Sequence, residues 1–282
     1  IDKDALLRSG IMLPKTIRHL KEEDLKDAIP DKLYISLTDI RMLTKVDLLM
    51  LEMLANCNWE RPLYLAISVG SVSKLKFDNY FVQEGLAFRF TPFDYKKWGD
   101  VGENRLYAVD VERLYDNVMN RYKYGGLDTP GLYLDETTLR TCWYHRRLFA
   151  QLAKELIAQG DNECAKKVLA YAEQVIPGYN VPETHESGSY DIATAYAALG
   201  EKTKAVTLAV HLIAEAEDYI NWAFSLKGNR IEMVRNDCIY KFWQWNQYNE
   251  LLKKIDGEKY KESNRRFEEK YALFAPTMNY KN

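Results

Sequence analysis

The second half of the chain carries a helix–turn–helix pattern that restricts the fold more than any other feature of the sequence. Between Thr141 and Pro177, large and small apolar residues recur at helical spacing on both sides of a Gly160-Asp161 turn. They are Phe149, Leu152, Ala153 and Leu156 before the turn, and Ala165, Leu169 and Ala172 after it. The alanines let two helices approach closely, and the larger side chains fill the space between them. The pattern therefore predicts a pair of antiparallel helices against which further pairs can pack.

Two further helix pairs are predicted after the first. The second follows about 40 residues later in the same order and carries Ile192, Ala193, Tyr196, Gly200 and Ala205. It departs from the first pair at Leu212, where a small residue is expected, and at Glu217, which replaces the closing proline. The third pair begins with an apolar stripe formed by Phe242, Trp245, Tyr248, Leu252 and Ile255. After an Asp256-Gly257 turn, residues 260–274 predict a charged helix, which is typical of the cap of a helical array.

The order of large, small and turn residues in the first two pairs resembles the tetratricopeptide repeat. The resemblance places one repeat at about residues 146–179 and another at about residues 186–219, followed by a capping helix pair. It implies a shallow concave surface that binds a peptide or a partner domain. A rigid spacer without a ligand of its own is an equally good interpretation. On either interpretation the chain is a binding or scaffolding module rather than a self-sufficient enzyme.

The N-terminal part of the chain shows the signals of a small α/β subdomain. Thr44 and Asp47 have the spacing of a capping box and predict a helix that runs to about Ala55. Its apolar stripe is Val46, Leu49, Met50 and Met53. Three β-rich runs are found at residues 33–37, 63–67 and 86–90. The order strand, helix, strand predicts a βαβ unit with parallel pairing, in which the second strand is buried on both faces.

The boundary between the two parts is predicted in a loop at residues 96–104, which contains two glycines. Beyond it, Asp110 is predicted to cap a helix whose apolar face continues to Tyr122, and Gly125-Gly126 ends this helix. We therefore predict a small α/β subdomain over residues 1–102 and a tetratricopeptide-like antiparallel helical array over residues 103–282. The fold class is α+β and mostly α.

The composition excludes several functional classes. The formal net charge is −2 and the pI about 6.2, without the concentrated basic patch that nucleic-acid binding needs. Apolar runs such as residues 48–55 are much shorter than the roughly 20 residues of a membrane span. The four cysteines are widely spaced, so we interpret them as mostly buried thiols. The chain begins Ile1-Asp2-Lys3-Asp4 without an initiator methionine, as expected of a fragment excised from a longer protein.

No catalytic residue, cofactor or metal site is predicted. The four histidines lack partners at metal spacing, and no glycine-rich phosphate loop or Gly-x-Ser-x-Gly elbow is present in the sequence. The binding candidates are a basic cluster that opens the first repeat and one tryptophan: Arg140, His145, Arg146, Arg147 and Trp243. The cluster could hold an anion or an acidic peptide, although salt bridges to neighbouring helices explain it more simply. Trp243 lies off the apolar stripe of its helix, where it could stack against a sugar.

One stretch has a more specific resemblance. Residues 43–47 lead through the predicted helix into Asn58-Trp59-Glu60-Arg61-Pro62-Leu63-Tyr64-Leu65-Ala66. This stretch resembles a segment of large bacterial membrane proteins of the protein O-mannosyltransferase-like glycosyltransferase family. Residues 80–89, 117–126 and 133–135 fit the same family, so the resemblance covers most of residues 30–180.

In that family a multi-spanning N-terminal region carries the lipid-sugar transferase chemistry, and a soluble tail follows it. The resemblance implies that this chain is such a tail, on the periplasmic face of the inner membrane. It would then be a non-catalytic accessory module that binds a protein, a peptide or a glycoprotein acceptor, attached to a membrane domain N-terminal to it. The alternative is a general protein–protein interaction scaffold unrelated to sugar transfer. An independent hydrolase or transferase in the α/β part has the least support, because no nucleophile–base pair is visible.

Overall fold

The computed structural model describes residues 1–38, 40–69, 77–101, 107–226 and 230–278, with side chains described as far as residue 276. The chain divides into two compact units, unit 1 (Ile1–Tyr122) and unit 2 (Lys123–Asn282). The boundary predicted between residues 102 and 103 lies outside the described residues. Unit 1 combines short helices with a small mixed sheet, and unit 2 is a helical array, so the predicted fold class is confirmed.

The small sheet of unit 1 has the strand order β1-β3-β2-β4. Its strands are β1 (Tyr64–Ala66), β2 (Phe81–Gln83), β3 (Ala87–Phe90) and β4 (Ala108–Val109). Strand β3 pairs antiparallel with β1 and β2, whereas β4 pairs parallel with β2. The helices are α1 (Lys3–Arg8), α2 (Glu22–Ala28), α3 (Lys45–Asn56) and α4 (Val111–Asp116). A 3-10 turn precedes β2 at Asp78–Tyr80, and a π-helical turn follows α4 at Asn117–Arg121.

The βαβ unit predicted from residues 33–67 is wrong. Residues 33–37 are extended but form no strand: Leu33 and Ile35 pack against an apolar cluster, while Tyr34 is 81% exposed. Such alternation gives a β-like pattern even to a segment that pairs with no neighbouring strand among the described residues. The run at residues 63–67 does form β1, but as an antiparallel edge strand with Tyr64 48% exposed, and not as a strand buried on both faces. The strand predicted at residues 86–90 is confirmed as β3.

The helix predicted after Thr44 is confirmed together with its capping box. The Asp47 amide donates to the Thr44 hydroxyl at 3.3 Å, and the Thr44 amide donates to the Asp47 carboxylate at 2.8 Å. Of the predicted apolar stripe only Met50 packs against the core, because α3 turns Leu51 and Leu54 inward beside it. More than half of each side chain is exposed at Val46, Leu49 and Met53.

The single helix predicted from Asp110 to Tyr122 is interrupted. Asp110 does cap α4, since its carboxylate accepts the Arg113 amide at 3.1 Å. The π-helical turn then follows and is closed by the Tyr122 amide, which donates to the Asn117 carbonyl at 2.8 Å. A π-helical turn holds one residue more than an α-helical turn, so the positions after it rotate relative to a regular helix.

Unit 2 consists of helices that pack in chain order. They are α5 (Glu136–Ala158), α6 (Asn162–Val175), α7 (Ser189–Ala198), α8 (Lys202–Ser225), α9 (Arg230–Met233), α10 (Arg235–Ile255) and α11 (Gly257–Met278). Helix α5 packs against α6 and α7, α7 against α8, α8 against α10, and α10 against α11. Each helix contacts mainly its neighbours, as in other helical arrays. No helix in the described parts of the chain is both long enough and apolar enough to cross a membrane.

The residues that predicted the helix pairs are buried between them. Each of the seven residues of the first pair, from Phe149 to Ala172, is at most 5% exposed. In the later pairs Ala205 and Trp245 are fully buried. Gly160 and Gly200 make the turns with φ values of +83° and +78°, which glycine adopts without strain. The helix pairs are thus confirmed, whereas their assignment to the tetratricopeptide class stays a prediction.

Candidate functional site

The predicted basic cluster divides between the two sides of α5. Arg140 is exposed, and its guanidinium lies 2.5 Å from the Glu136 carboxylate one turn earlier. Arg147 is also exposed. Arg146, between them, is only 3% exposed. Consecutive helical positions are rotated by about 100°, so adjacent arginines face different surroundings.

Arg146 organises the segment between α6 and α7. Its guanidinium donates to the carbonyls of Ile176, Val181 and Pro182 at 3.1, 2.5 and 2.8 Å. It also donates to the Ser187 hydroxyl at 3.0 Å. Burial lowers the pKa of Arg146 to about 10. Because this value is still well above 7, the side chain stays charged at pH 7. Because its N–H groups are already hydrogen-bonded to backbone carbonyls, Arg146 stabilises the segment that follows α6 from the protein interior.

Arg147 holds the same segment from the solvent side. Its Nε donates to the Glu186 carbonyl at 2.6 Å, and its guanidinium lies 5.6 Å from the centre of the Tyr144 ring. Gly188 is required here, because it has a φ of +84° and a Cβ atom would lie 2.9 Å from the Arg147 Cγ. The two arginines therefore fix the position of the neighbouring His185.

Four aromatic rings surround His185. We call this group the His185 cluster; it consists of His185, Tyr190, Tyr240, Trp243 and Tyr248. His185 Nδ1 and the Tyr248 hydroxyl share a hydrogen bond of 2.8 Å. Burial lowers the pKa of His185, which keeps the imidazole neutral at pH 7. The cluster is thus an uncharged aromatic surface built on a fixed histidine.

Trp243 and Tyr240 form the exposed part of the cluster. Their rings are stacked with centres 5.6 Å apart and planes 12° from parallel, and they are 48% and 44% exposed. Polar groups border them, since Gln244 donates to the Glu186 carboxylate at 3.0 Å and Lys241 lies 3.8 Å from it. The exposure predicted for Trp243 is confirmed.

Three of the predicted residues, Arg146, Arg147 and Trp243, thus meet at the segment between α6 and α7, whereas Arg140 and His145 do not. Arg147 and Trp243 both contact the pair His185-Glu186. His145 lies elsewhere on α5, with its ring 5.4 Å from that of Tyr124, and burial lowers its pKa. Neither His185 nor Tyr190 was predicted as a site residue. His185 lies just before the second repeat, where no periodicity marks it, and Tyr190 is the second residue of α7.

Unit 2 also contains a cleft between α6, α7 and α8, which we call the interhelical cleft. Its volume is about 430 Å³, and apolar side chains such as Leu169, Ile192 and Leu208 form part of its wall. Glu173 accepts from the Tyr196 hydroxyl at 2.5 Å, and its two oxygens contact Lys204 at 2.9 and 2.8 Å. A second carboxylate, that of Glu183, also lines the cleft and has no hydrogen bond or ion pair with any described residue.

Comparison with known proteins gives one match. The family model of TMEM260-associated domain 2 matches residues 1–112, which is most of unit 1. No curated protein and no solved structure matches the chain. The N-terminal part of the chain is therefore similar to a domain associated with TMEM260, and the helical array lies outside this match.

Proposed function

We propose that this chain is a non-catalytic accessory module of a membrane glycosyltransferase-like protein and that unit 2 binds the glycan of a protein acceptor. Two similarities support this role: that of residues 1–112 to TMEM260-associated domain 2, and that of the sequence to the tails of O-mannosyltransferase-like proteins. On this proposal the module is joined to a membrane domain and lies on the extracytoplasmic side, which in bacteria is the periplasm.

The exposed pair Tyr240 and Trp243 is the observation that carries the proposal. A pyranose ring has an apolar face that stacks on an aromatic ring, and its hydroxyl groups need donors and acceptors at the edge. Glu186 supplies an acceptor and Lys241 a donor, and both are partly exposed. His185 holds the exposed pair from behind, so little side-chain freedom is lost when a ligand binds.

Replacing Trp243 by alanine is expected to weaken glycan binding at least about tenfold, because truncating an aromatic anchor removes most of its contact area. The measurement is calorimetric titration of the purified chain with mannose-type oligosaccharides and O-mannosylated peptides. Trp222 is the matched control, since it is 49% exposed on α8 and, among the rings that the structure describes, contacts only Tyr219. Equal losses in both variants, or no saturable binding by the unchanged chain, would refute the proposal.

A second candidate function is a general peptide-binding scaffold without a link to sugar transfer. The interhelical cleft favours it, because the cleft is partly apolar and the carboxylate of Glu183 lines it without a hydrogen bond or salt bridge to a described residue. Glu183 interacts electrostatically with the buried Arg146 but keeps its oxygens available, so a basic side chain of a bound peptide would pair with it. The ligand on this alternative is a peptide with one lysine or arginine between apolar residues.

Peptide binding in this cleft is expected to weaken about tenfold when Glu183 is replaced by glutamine, because one charge pair is lost. The measurement is fluorescence anisotropy of labelled peptides that differ only in having lysine or norleucine at the central position. Glu163→Gln is the control, since this carboxylate belongs to α6 but is 81% exposed. Equal affinity for the lysine and norleucine peptides would exclude the alternative.

A further inference from the structure

Unit 1 contains a polar pocket that lies outside the surfaces described above. Its volume is about 410 Å³, and each of its six lining residues has a polar side chain: Tyr64, Glu84, Arg113, Asp116, Asn117 and Arg121. We call it the Glu84 pocket. These residues come from β1, the turn after β2, α4 and the π-helical turn, so the fold of unit 1 assembles the pocket from distant parts of the chain.

The carboxylate of Glu84 is held at the base of the pocket. Glu84 is only 6% exposed, and its Oε2 accepts from the Tyr64 hydroxyl at 2.8 Å. Its Oε1 accepts from Arg113 at 2.9 Å and lies 3.6 Å from the guanidinium of the buried Arg89. Burial, together with the hydrogen bond to Glu84, raises the pKa of Tyr64. The phenol therefore stays neutral and keeps donating to the carboxylate.

The π-helical turn supplies the wall opposite Tyr64. Asn117, its first residue, donates from Nδ2 to the Glu84 carbonyl at 2.7 Å. Arg121, its last residue, bonds to Asp116 at 2.5 Å at the more exposed rim. The π turn thus places both Asn117 and Arg121 on the wall of one pocket, in agreement with the frequent use of such turns at functional sites.

The charges of the pocket cancel. In and beside the pocket, three carboxylates are balanced by three guanidinium groups, and each guanidinium lies within 3.6 Å of a carboxylate. The carboxylates are Glu84, Asp110 and Asp116, and the guanidinium groups are Arg89, Arg113 and Arg121. Neither an anion nor a cation is therefore favoured by the net charge. A neutral ligand rich in hydroxyl groups fits better, since each hydroxyl can donate to a carboxylate and accept from a guanidinium or amide. The half-exposed ring of Tyr64 offers a face for the apolar side of such a ligand.

We propose that the Glu84 pocket binds one neutral sugar residue. This site extends the proposed function, on which it rests for the presence of glycans near the chain, to a second place in unit 1. The volume of about 410 Å³ lies within the range of about 300–1,000 Å³ that is usual for ligand pockets, towards its lower end. Tyr64 and Asn117 would orient the sugar, while Arg121 and Asp116 would contact its outer hydroxyl groups.

The test is saturation-transfer NMR on the full chain with methyl α-mannoside, methyl β-glucoside and, as charged probes, glucose 6-phosphate and glucosamine. We expect a neutral glycoside to bind with a dissociation constant of about 1 mM, as is usual for a ligand this small. Tyr64→Leu and Arg121→Gln should each raise that constant about tenfold. The matched controls are Tyr34→Leu and Arg41→Gln, since both residues are exposed in unit 1 and line no part of this pocket.

The outcomes separate this site from the His185 cluster. Weaker binding in Tyr64→Leu and Arg121→Gln supports the Glu84 pocket, and it supports both sites when Trp243→Ala also weakens binding. If Trp243→Ala binds as the unchanged chain does, the pocket is supported and the surface proposed in unit 2 is not. Loss in Trp243→Ala alone supports the proposed function and overturns the pocket. Tighter binding of a charged probe, or no neutral glycoside bound at about 20 mM, overturns it as well. If Tyr64→Leu unfolds unit 1, Arg121→Gln alone tests the proposal, because Arg121 is exposed and its replacement leaves the fold intact.

Discussion

Replacing Arg146 by methionine is expected to lower the free energy of unfolding of unit 2 by about 4 kcal/mol, close to the largest effect that one substitution produces. The guanidinium satisfies three backbone carbonyls and the Ser187 hydroxyl inside the protein. Methionine fills a similar volume but donates no hydrogen bond, and each buried acceptor left without a donor costs about 1–3 kcal/mol. The costs are not additive, because the segment after α6 can move and admit water.

The comparison with Arg140→Met on the same helix isolates the role of burial. Within the described part of the chain, Arg140 makes only an exposed ion pair with Glu136, so its loss is expected to cost less than about 1 kcal/mol. Denaturant unfolding gives both free energies, and hydrogen exchange of the amides in α5–α8 assigns the change to unit 2. Similar values for the two variants would show that the hydrogen bonds of Arg146 do not stabilise the segment. Arg146→Lys should lie between them, because an ammonium group has three donors and no planar fork.

The helix pairs could be predicted because their signal is local. Ala153 and Ala165 lie at helical spacing from large side chains, and Gly160 ends one helix within the same short stretch. The contacts that these residues make are between consecutive helices, so no long-range information was needed. Sheet pairing in unit 1 is different, because β1 pairs with β3 about 20 residues later and the alternation of residues 33–37 mimics a strand.

The burial of Arg146 could also have been predicted from the sequence. This residue precedes Phe149 by three residues and Ala153 by seven, so it lies on the buried stripe of α5, whereas Arg140 and Arg147 do not. Grouping residues 145–147 as one basic cluster ignored this rotation. His185 is a different case. It lies between helices without a periodic pattern, and its neighbours Tyr240 and Trp243 are more than 50 residues away, so only the folded chain shows that they meet.

Replacing Gly85 by alanine is expected to destabilise unit 1 by about 3 kcal/mol. Gly85 has a φ of +152°, in a region that only glycine occupies readily, and an added Cβ atom would overlap the Tyr122 hydroxyl. That hydroxyl accepts the Leu86 amide at 3.0 Å, so it cannot move away without losing a hydrogen bond. Because the turn at Gly85 joins Glu84 to β3, the substitution is also expected to disturb the Glu84 pocket.

A double-mutant cycle separates the steric effect from backbone strain. Tyr122→Phe removes the hydroxyl and costs about 1 kcal/mol for the lost hydrogen bond, but it makes room for the new methyl group. Gly85→Ala should therefore cost less in the Tyr122→Phe background than in the unchanged chain. Gly99→Ala is the control for strain alone, since Gly99 has a φ of +74° and no described atom lies within 4 Å of an added Cβ, and about 1 kcal/mol is expected. If Gly85→Ala costs the same in both backgrounds, backbone strain and not the contact with Tyr122 makes glycine necessary at this turn.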